Sequence, residues 1–402
     1  MFFDILKFIY IGGLVIKFKL LFKILVIIIL TSCVHQVNSS KNIYNLENLK
    51  SDLNQIISKE NLSAISLAIK CPKVNDFNVI DINLGFNSIN GENVTQLSLF
   101  QIGSITKTFV ATIILQLENE KLLSLEDNIE KYFPQQYKNW SKIKIKNLLN
   151  MTSGIHNYND PKNQYFIGKT LRDPDYYFTN EDLLRLVKSE DLKFVPNSSW
   201  MYSNTNYILL GKIIEKVSNS TFSEQLQKRI LQPLQMSNTY FIKHRPKTEI
   251  PLYKISHLTQ GYLYNETLLK NFDINDLSLS FASYAGSIIS TSNDLLKFIN
   301  ALFLTKENNN LNSLKKLSAE FNYFENTDNT GIIRKISSNK MDSGYGLGIF
   351  ILNDNNFNDF NYFHTGGTYG YLSKMSYLKN SNASYVLLIN STHQLDFRGC
   401  PT

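Results

Sequence analysis

Strand-like text lies at the two ends of this chain, and a long helical stretch lies between them. Ala64–Lys70 and 78–84 alternate apolar and polar residues near one end, and 346–352, 361–364, Tyr371–Leu378 and Ala383–Ile389 do so near the other. A period of two is the mark of a strand with one buried face. The segment 181–188, the segment 207–217 and Ser292–Phe303 repeat their apolar residues at helical spacing. The Asp294 carboxylate falls near the start of the last of these, where the helix dipole favours it. The expected architecture is α+β. One antiparallel sheet, flanked by helices, takes strands from 61–100 and 340–392, and an all-helical lobe from 101–339 is inserted between them. A chain of 402 residues exceeds one ordinary compact core, so two lobes with a ligand cleft between them fit the length. Ahead of the sheet, 45–59 reads as an amphipathic helix with Leu46, Leu49, Leu53, Ile56 and Ile57 on one side, preceded by a linker from residue 33.

Ser104-Ile105-Thr106-Lys107 opens the helical stretch. Residues i and i+3 of a helix share a face, so the Lys107 amine can reach the Ser104 oxygen. A serine hydroxyl attacks poorly until a base takes its proton, and lysine serves only where burial or nearby positive charge lowers its pKa. Leu99, Phe100 and Ile102 before the motif, and Phe109, Val110, Ile113, Ile114 and Leu117 after it, predict such burial. Alone, a Ser near a helix start is usually a cap.

Two more stretches bear on the same chemistry. Tyr202-Ser203-Asn204 lies in a polar run just before an apolar helical segment. A phenol beside an amine can relay a proton and an amide can hold a substrate carbonyl, although Y-S-N by itself reads as a turn. His364-Thr365-Gly366-Gly367-Thr368 comes directly after strand-like text at 360–363. Its glycines let a ligand backbone approach an edge strand, while taken alone T-G-G reads as a hairpin turn.

The three stretches together, in this order, resemble those of the penicillin-recognising serine hydrolases: class C β-lactamases, D-Ala-D-Ala carboxypeptidases, D-aminopeptidases and related esterases. The resemblance runs from about residue 62 to 390 and includes F-Q-I-G-S-I-T-K-T-F, L-L-N-M-T-S-G-I, W-M-Y-S-N-T-N-Y-I-L-L-G and Y-G-L-G-I-F. It implies a β-lactamase/transpeptidase-like fold over 61–402 and an acyl-enzyme mechanism without metal or other cofactor. By resemblance Ser104 is the nucleophile, Lys107 its proton acceptor and Tyr202 the general acid and base. The backbone amides of Ser104 and Gly367 form the oxyanion hole. Asn204 holds the substrate amide, and His364, Thr365 and Gly366 line the carboxylate end.

Where most β-lactamases open the third motif with lysine, this chain has His364. An unperturbed imidazole, with a pKa of ~6.5, makes a weaker and more pH-dependent anion site. The expected substrate is therefore a D-alanyl peptide, a muropeptide or another acyl compound, with D-Ala-D-Ala carboxypeptidase ahead of β-lactamase, esterase and D-aminopeptidase. A penicillin-binding sensor or scaffold is the non-enzymatic alternative.

Lys17, Lys19 and Lys23 flank apolar runs, Ile24 to Leu30 is uninterrupted, and Leu30-Thr31-Ser32-Cys33 closes the segment. This predicts a secretory signal over 1–32 of the lipoprotein type, with Cys33 lipidated. Ordinary cleavage and an uncleaved membrane anchor are its rivals. The expected location is the periplasmic face of the cell envelope, with the membrane as partner through Cys33 or the leader. Cys71 and Cys400 could then pair in an oxidising compartment. The six histidines are scattered, without metal-ligand spacing, so no metal is expected. The net charge of +7 is spread as isolated lysines rather than a stripe, which argues against nucleic acid as a partner. The oligomeric state is not readable. After residue 390 the chain is too short and too broken by Gly399 and Pro401 for the C-terminal helix usual in the family. An apolar sheet face is therefore expected to be partly exposed.

Overall fold

The computed structural model describes residues 46–71, 79–88, 90–160, 162–265, 270–273, 277–303, 322–325, 333–335, 343–354 and 359–394. The leader, Cys33 and Cys400 lie outside the described residues. So does everything that depends on their placement.

Four helices frame the molecule: α1 (Leu46–Lys59), α2 (Thr106–Asn119), α3 (Asn204–Ser218) and α4 (Ser292–Phe303). Among the described residues the main sheet has ten strands: β1 (Ala64–Lys70), β2 (Val79–Gly85), β3 (Ser199–Trp200), β4 (Asn322–Glu325), β5 (Ile333–Lys335), β6 (Ser343–Tyr345), β7 (Phe350–Asp354), β8 (Asp359–Thr368), β9 (Tyr371–Leu378) and β10 (Ala383–Ile389). Their spatial order is β2-β1-β10-β9-β8-β7-β6-β4-β5-β3, antiparallel throughout. The two ends of the chain meet where β1 pairs with β10, in the register Leu67 to Leu387. This is the sheet that the terminal alternation predicts.

Each face of the sheet has its own cover. On one side Leu49, Leu53 and Ile56 of α1 bury against Leu67, Leu378, Tyr385, Leu387 and Ile389. The apolar face that was expected to be partly exposed is therefore buried at these positions, because the amphipathic α1 lies on it. Each such side chain contributes roughly 1.5–3 kcal/mol on leaving water. On the other side α4 packs against β1, β9 and β10, and α2 stacks Phe109 on Phe298 of α4 with ring centroids 3.8 Å apart. Every residue of α2 from Thr106 to Leu117 is buried, so this helix is the central pillar of the inserted lobe.

The lobe is not wholly helical. Phe100–Gln101, Tyr240–Phe241 and Ile288–Ser290 form a small sheet within it, and β3, β4 and β5 extend the main sheet from it. The segment 346–352 is also not one strand. Gly348, at φ +82°, turns the chain between β6 and β7, and a Cβ there would sit 2.6 Å from Ala111 of α2. The alternation in sequence ran across a hairpin, because glycine counts as neither face.

Asp294 lies in the first turn of α4, where Lys297 and the amide of Asn238 satisfy it. Cys71, at the end of β1, is disulfide-bonded; Cys33 and Cys400 both fall outside the described residues. Among the described residues no helix is long and apolar enough to cross a membrane.

Candidate active site

Ser104 sits in a single helical turn, Gly103–Ile105, that runs straight into α2. The turn begins with Gly103 at φ +50°, a left-handed conformation that glycine adopts without strain. Lys107 comes one turn later, and its Nζ lies 2.9 Å from Ser104 Oγ. The amine is completely buried and also donates to the Ala285 carbonyl at 2.6 Å. Burial lowers its pKa well below that of an ordinary lysine. An unprotonated amine beside a serine hydroxyl can accept its proton.

Tyr202 closes the other side. Lys107 Nζ lies 5.0 Å from its ring centroid and 5.7 Å from that of Tyr207. The Tyr202 hydroxyl is buried without a hydrogen bond of ordinary geometry. Burial raises its pKa, and the Ser104 hydroxyl acts in the opposite direction. Ser203 takes the extended N-cap position of α3, with its hydroxyl on the His156 carbonyl, and Asn204 opens the helix. Y-S-N is thus the entry to a helix, tied to the loop 156–159. Asn204 Nδ2 donates to Asn159 Oδ1 at 2.8 Å, and its backbone N–H donates to Asn157 Oδ1.

His364 to Thr368 is not a turn. These residues form the end of β8, and the turn comes after them at Tyr369 and Gly370. β9 pairs with β8 from Asn361 to Thr368, whereas the pairing with β7 stops at Phe363. On the β7 side, the H-T-G-G end therefore lies beyond the last paired residue. Gly366 has no room for a side chain: a Cβ there would lie 1.9 Å from the Ile102 carbonyl oxygen. A Cβ on Gly103 would lie 2.5 Å from the Gly367 nitrogen. Two backbones thus touch with only hydrogens between them, which brings the amide of Gly367 beside the turn that carries Ser104. Helix-start amides have no intrahelical acceptor, so the pair suits a developing oxyanion.

The expectation that an imidazolium at His364 meets a carboxylate does not fit this placement. The ring is 1% exposed. Its Nδ1 lies 2.6 Å from the Thr365 carbonyl oxygen, and its Nε2 lies 3.2 Å from Tyr345 Oη. A carbonyl only accepts, so Nδ1 carries the proton, and Nε2 then accepts from the phenol. Burial, with the Lys107 charge beside it, pushes the His364 pKa down to about 3. Thr365 is half-buried as a residue, and its hydroxyl oxygen is buried without a hydrogen-bond partner.

Sequence reasoning missed three contributors: the Ala285 carbonyl that holds Lys107, Asn159 behind Asn204, and Tyr345. The first two arrive from loops with no periodic signal. Tyr345 stands in the Y-G-L-G-I-F text and could have been flagged there.

A family model described as Beta-lactamase matches residues 78–400. The chain is 31% identical to penicillin-binding protein 4* of Bacillus subtilis over 215 residues, covering 51% of this chain and 45% of that protein. It is 26% identical to a teichoic acid D-alanine hydrolase of Staphylococcus aureus over 259 residues, covering 62% and 58%. It spans about half the length of the curated relatives it matches. Among solved structures, D-amino acid amidase from Ochrobactrum anthropi SV3 superposes with a TM-score of 0.70 at 23% identity, covering 88% of this chain and 93% of that one. The octameric penicillin-binding protein homologue from Pyrococcus abyssi does so with 0.68 at 23%, covering 86% and 74%. At these identities the structural likeness is one of fold.

Proposed function

The chain belongs to the beta-lactamase family, and from that premise we propose that it is a serine acyl hydrolase acting on D-aminoacyl esters or amides whose leaving group carries no carboxylate. The observation that supports the chemistry is the 2.9 Å contact between the buried Lys107 amine and Ser104 Oγ. The amine takes the Ser104 proton as Oγ attacks the acyl carbon, and the tetrahedral oxyanion is met by the amides of Ser104 and Gly367. Tyr202 passes a proton to the departing oxygen or nitrogen, and the acyl-enzyme forms. A water, deprotonated through Tyr202 and Lys107, then attacks the ester; the acid leaves and Ser104 regains its proton.

The substrate class is argued from His364. A neutral, enclosed imidazole gives no cation to a substrate carboxylate, which leaves the Thr365 hydroxyl and the strand edge to hold a neutral group. The names of a teichoic acid D-alanine hydrolase and a D-amino acid amidase among the similar proteins are in keeping with such substrates. A D-Ala-D-Ala carboxypeptidase is the second reading, favoured by the likeness to penicillin-binding protein 4*. Attachment to the cell envelope through Cys33 belongs to the proposal as well, resting on the L-T-S-C text of the leader.

The test compares a D-Ala-D-Ala peptide with its C-terminal amide, beside a D-alanyl ester, nitrocefin and a Ser104→Ala control. The ester and the amide are expected to turn over faster than the free acid. Preference for the free acid sinks the substrate reading, and turnover that survives in Ser104→Ala sinks the mechanism.

A further inference from the structure

Tyr345 is completely buried at the end of β6. The turn between β6 and β7 is pinned to the helix of Lys107: Thr108 donates to the Gly348 carbonyl at 2.8 Å, and a Cβ on Gly348 would lie 3.2 Å from the Lys107 carbonyl oxygen. The hairpin therefore has little freedom to slide over α2. The Tyr345 ring meets that of Tyr202 edge-on at 6.4 Å, with Trp200 at 5.8 Å and Phe350 at 4.5 Å bracing it. Its hydroxyl meets His364 Nε2. One side chain thus touches both the phenol beside Ser104 and the imidazole that opens the third motif.

We propose that Tyr345 is a positioning residue of this site: its hydroxyl occupies the His364 Nε2 lone pair and holds the ring in place, and its ring seats Tyr202 against Lys107. The idea rests on the proposed catalytic roles of Ser104, Lys107 and Tyr202, although one arm of its test does not.

Without the phenol, the buried Nε2 lone pair has no partner and the ring is held from Nδ1 alone. With the Tyr345 hydroxyl donating, that lone pair is occupied and the ring orientation is fixed from both nitrogens. The groups acting on His364 are Lys107 of α2, the Thr365 carbonyl of β8 and Tyr345 of β6, whose hydroxyl also meets that of Tyr207, while Tyr202 and Tyr207 stand around the same amine. Lys107 opposes a charge on the imidazole, and Tyr345 gives the neutral ring a partner.

Tyr345→Phe removes the hydroxyl and keeps the ring; Tyr345→Leu removes both. Imidazole 15N spectra of the full chain, with His364 assigned by its loss in His364→Gln, should show a protonated Nδ1 and a bare Nε2. In Tyr345→Phe Nδ1 should stay protonated while the Nε2 signal moves to that of an unbonded acceptor, and kcat on a D-alanyl nitroanilide should fall about tenfold, the equivalent of one buried hydrogen bond, with KM unchanged. Tyr345→Leu should lose about another tenfold as Tyr202 loses its seat. An unchanged nitrogen pattern in Tyr345→Phe overturns the proposal, whatever kcat does. So does an unchanged kcat in both variants. The spectra need no substrate, so a protein inert on the nitroanilide fails the catalytic reading without touching the Nε2 arm.

Discussion

Lys107→Met separates an amine that is neutral in the native protein from one that keeps its proton. In the unfolded chain lysine titrates near ~10.4. In the native chain Lys107 is fully buried and bonded only to neutral oxygens, Ser104 Oγ and the Ala285 carbonyl, so its pKa is lowered. Between the folded and unfolded pKa values the unfolded chain holds one more proton than the native one. Stability then rises with pH by about 1.4 kcal/mol per unit in that window, and Lys107 ceases to cost stability only above the unfolded value.

Methionine has similar bulk and no titration. It leaves the Ala285 carbonyl without its donor, a pH-independent cost of about 1–3 kcal/mol. Because that cost is a constant offset, the slope is what diagnoses the proton. Chemical denaturation of both proteins from about pH 8 to 10 gives the difference in unfolding free energy, in which the other titrating groups cancel. The wild type should gain on the variant by about 1.4 kcal/mol per pH unit, while turnover of the variant drops by about a thousandfold. A flat difference over that range means that Lys107 keeps its proton in the fold, and the proposed base is then wrong.

The same geometry sets the outcome at His364 and at Gly366. KM should stay flat between about pH 5 and 8, since His364 does not titrate there in the native protein; a KM that falls below neutrality would restore the imidazolium reading. Because the native pKa is depressed, the unfolded chain takes up a proton first on acidification, so stability attributable to His364 should decline by about 1.4 kcal/mol per unit below ~6.5, a slope absent in His364→Gln. Gly366→Ala places a methyl 1.9 Å from the Ile102 carbonyl oxygen and 2.5 Å from Ser373 Oγ. The strand must move away from Ser104, so kcat/KM should fall about a hundredfold, with about 1–3 kcal/mol of stability lost, readable in steady-state kinetics and thermal melting.

What could be read from sequence was whatever the chain encodes locally. Ser104 and Lys107 are three residues apart, and Tyr202 stands just ahead of a helix start; period and capping express both. The joining of β1 to β10 was legible because alternation marks each strand and the two ends had few other partners. The hairpin after Tyr345 was hidden, since Gly346 and Gly348 left the alternation intact while the chain turned. The Ala285 carbonyl was invisible for a different reason. Any residue can supply a carbonyl, so only the fold shows which one meets Lys107.

The charge of His364 could not be read from its identity. An imidazole reports its surroundings, and those were assembled from α2, β6 and β8, far apart in sequence. Lysine and histidine lie together in this seam, both fully shielded from water, and a proton on either raises the cost of one on the other. Three outcomes are open to such a pair: a charge on Lys107, which removes the base; a charge on His364, which its tie to Tyr345 and its burial oppose; or no charge on either. The last two leave Lys107 as a base for Ser104, and the enclosed His364 selects the last. That state also leaves no cation on the H-T-G-G strand edge, so the arrangement that makes Ser104 a nucleophile is the same one that disfavours a carboxylate in the leaving group.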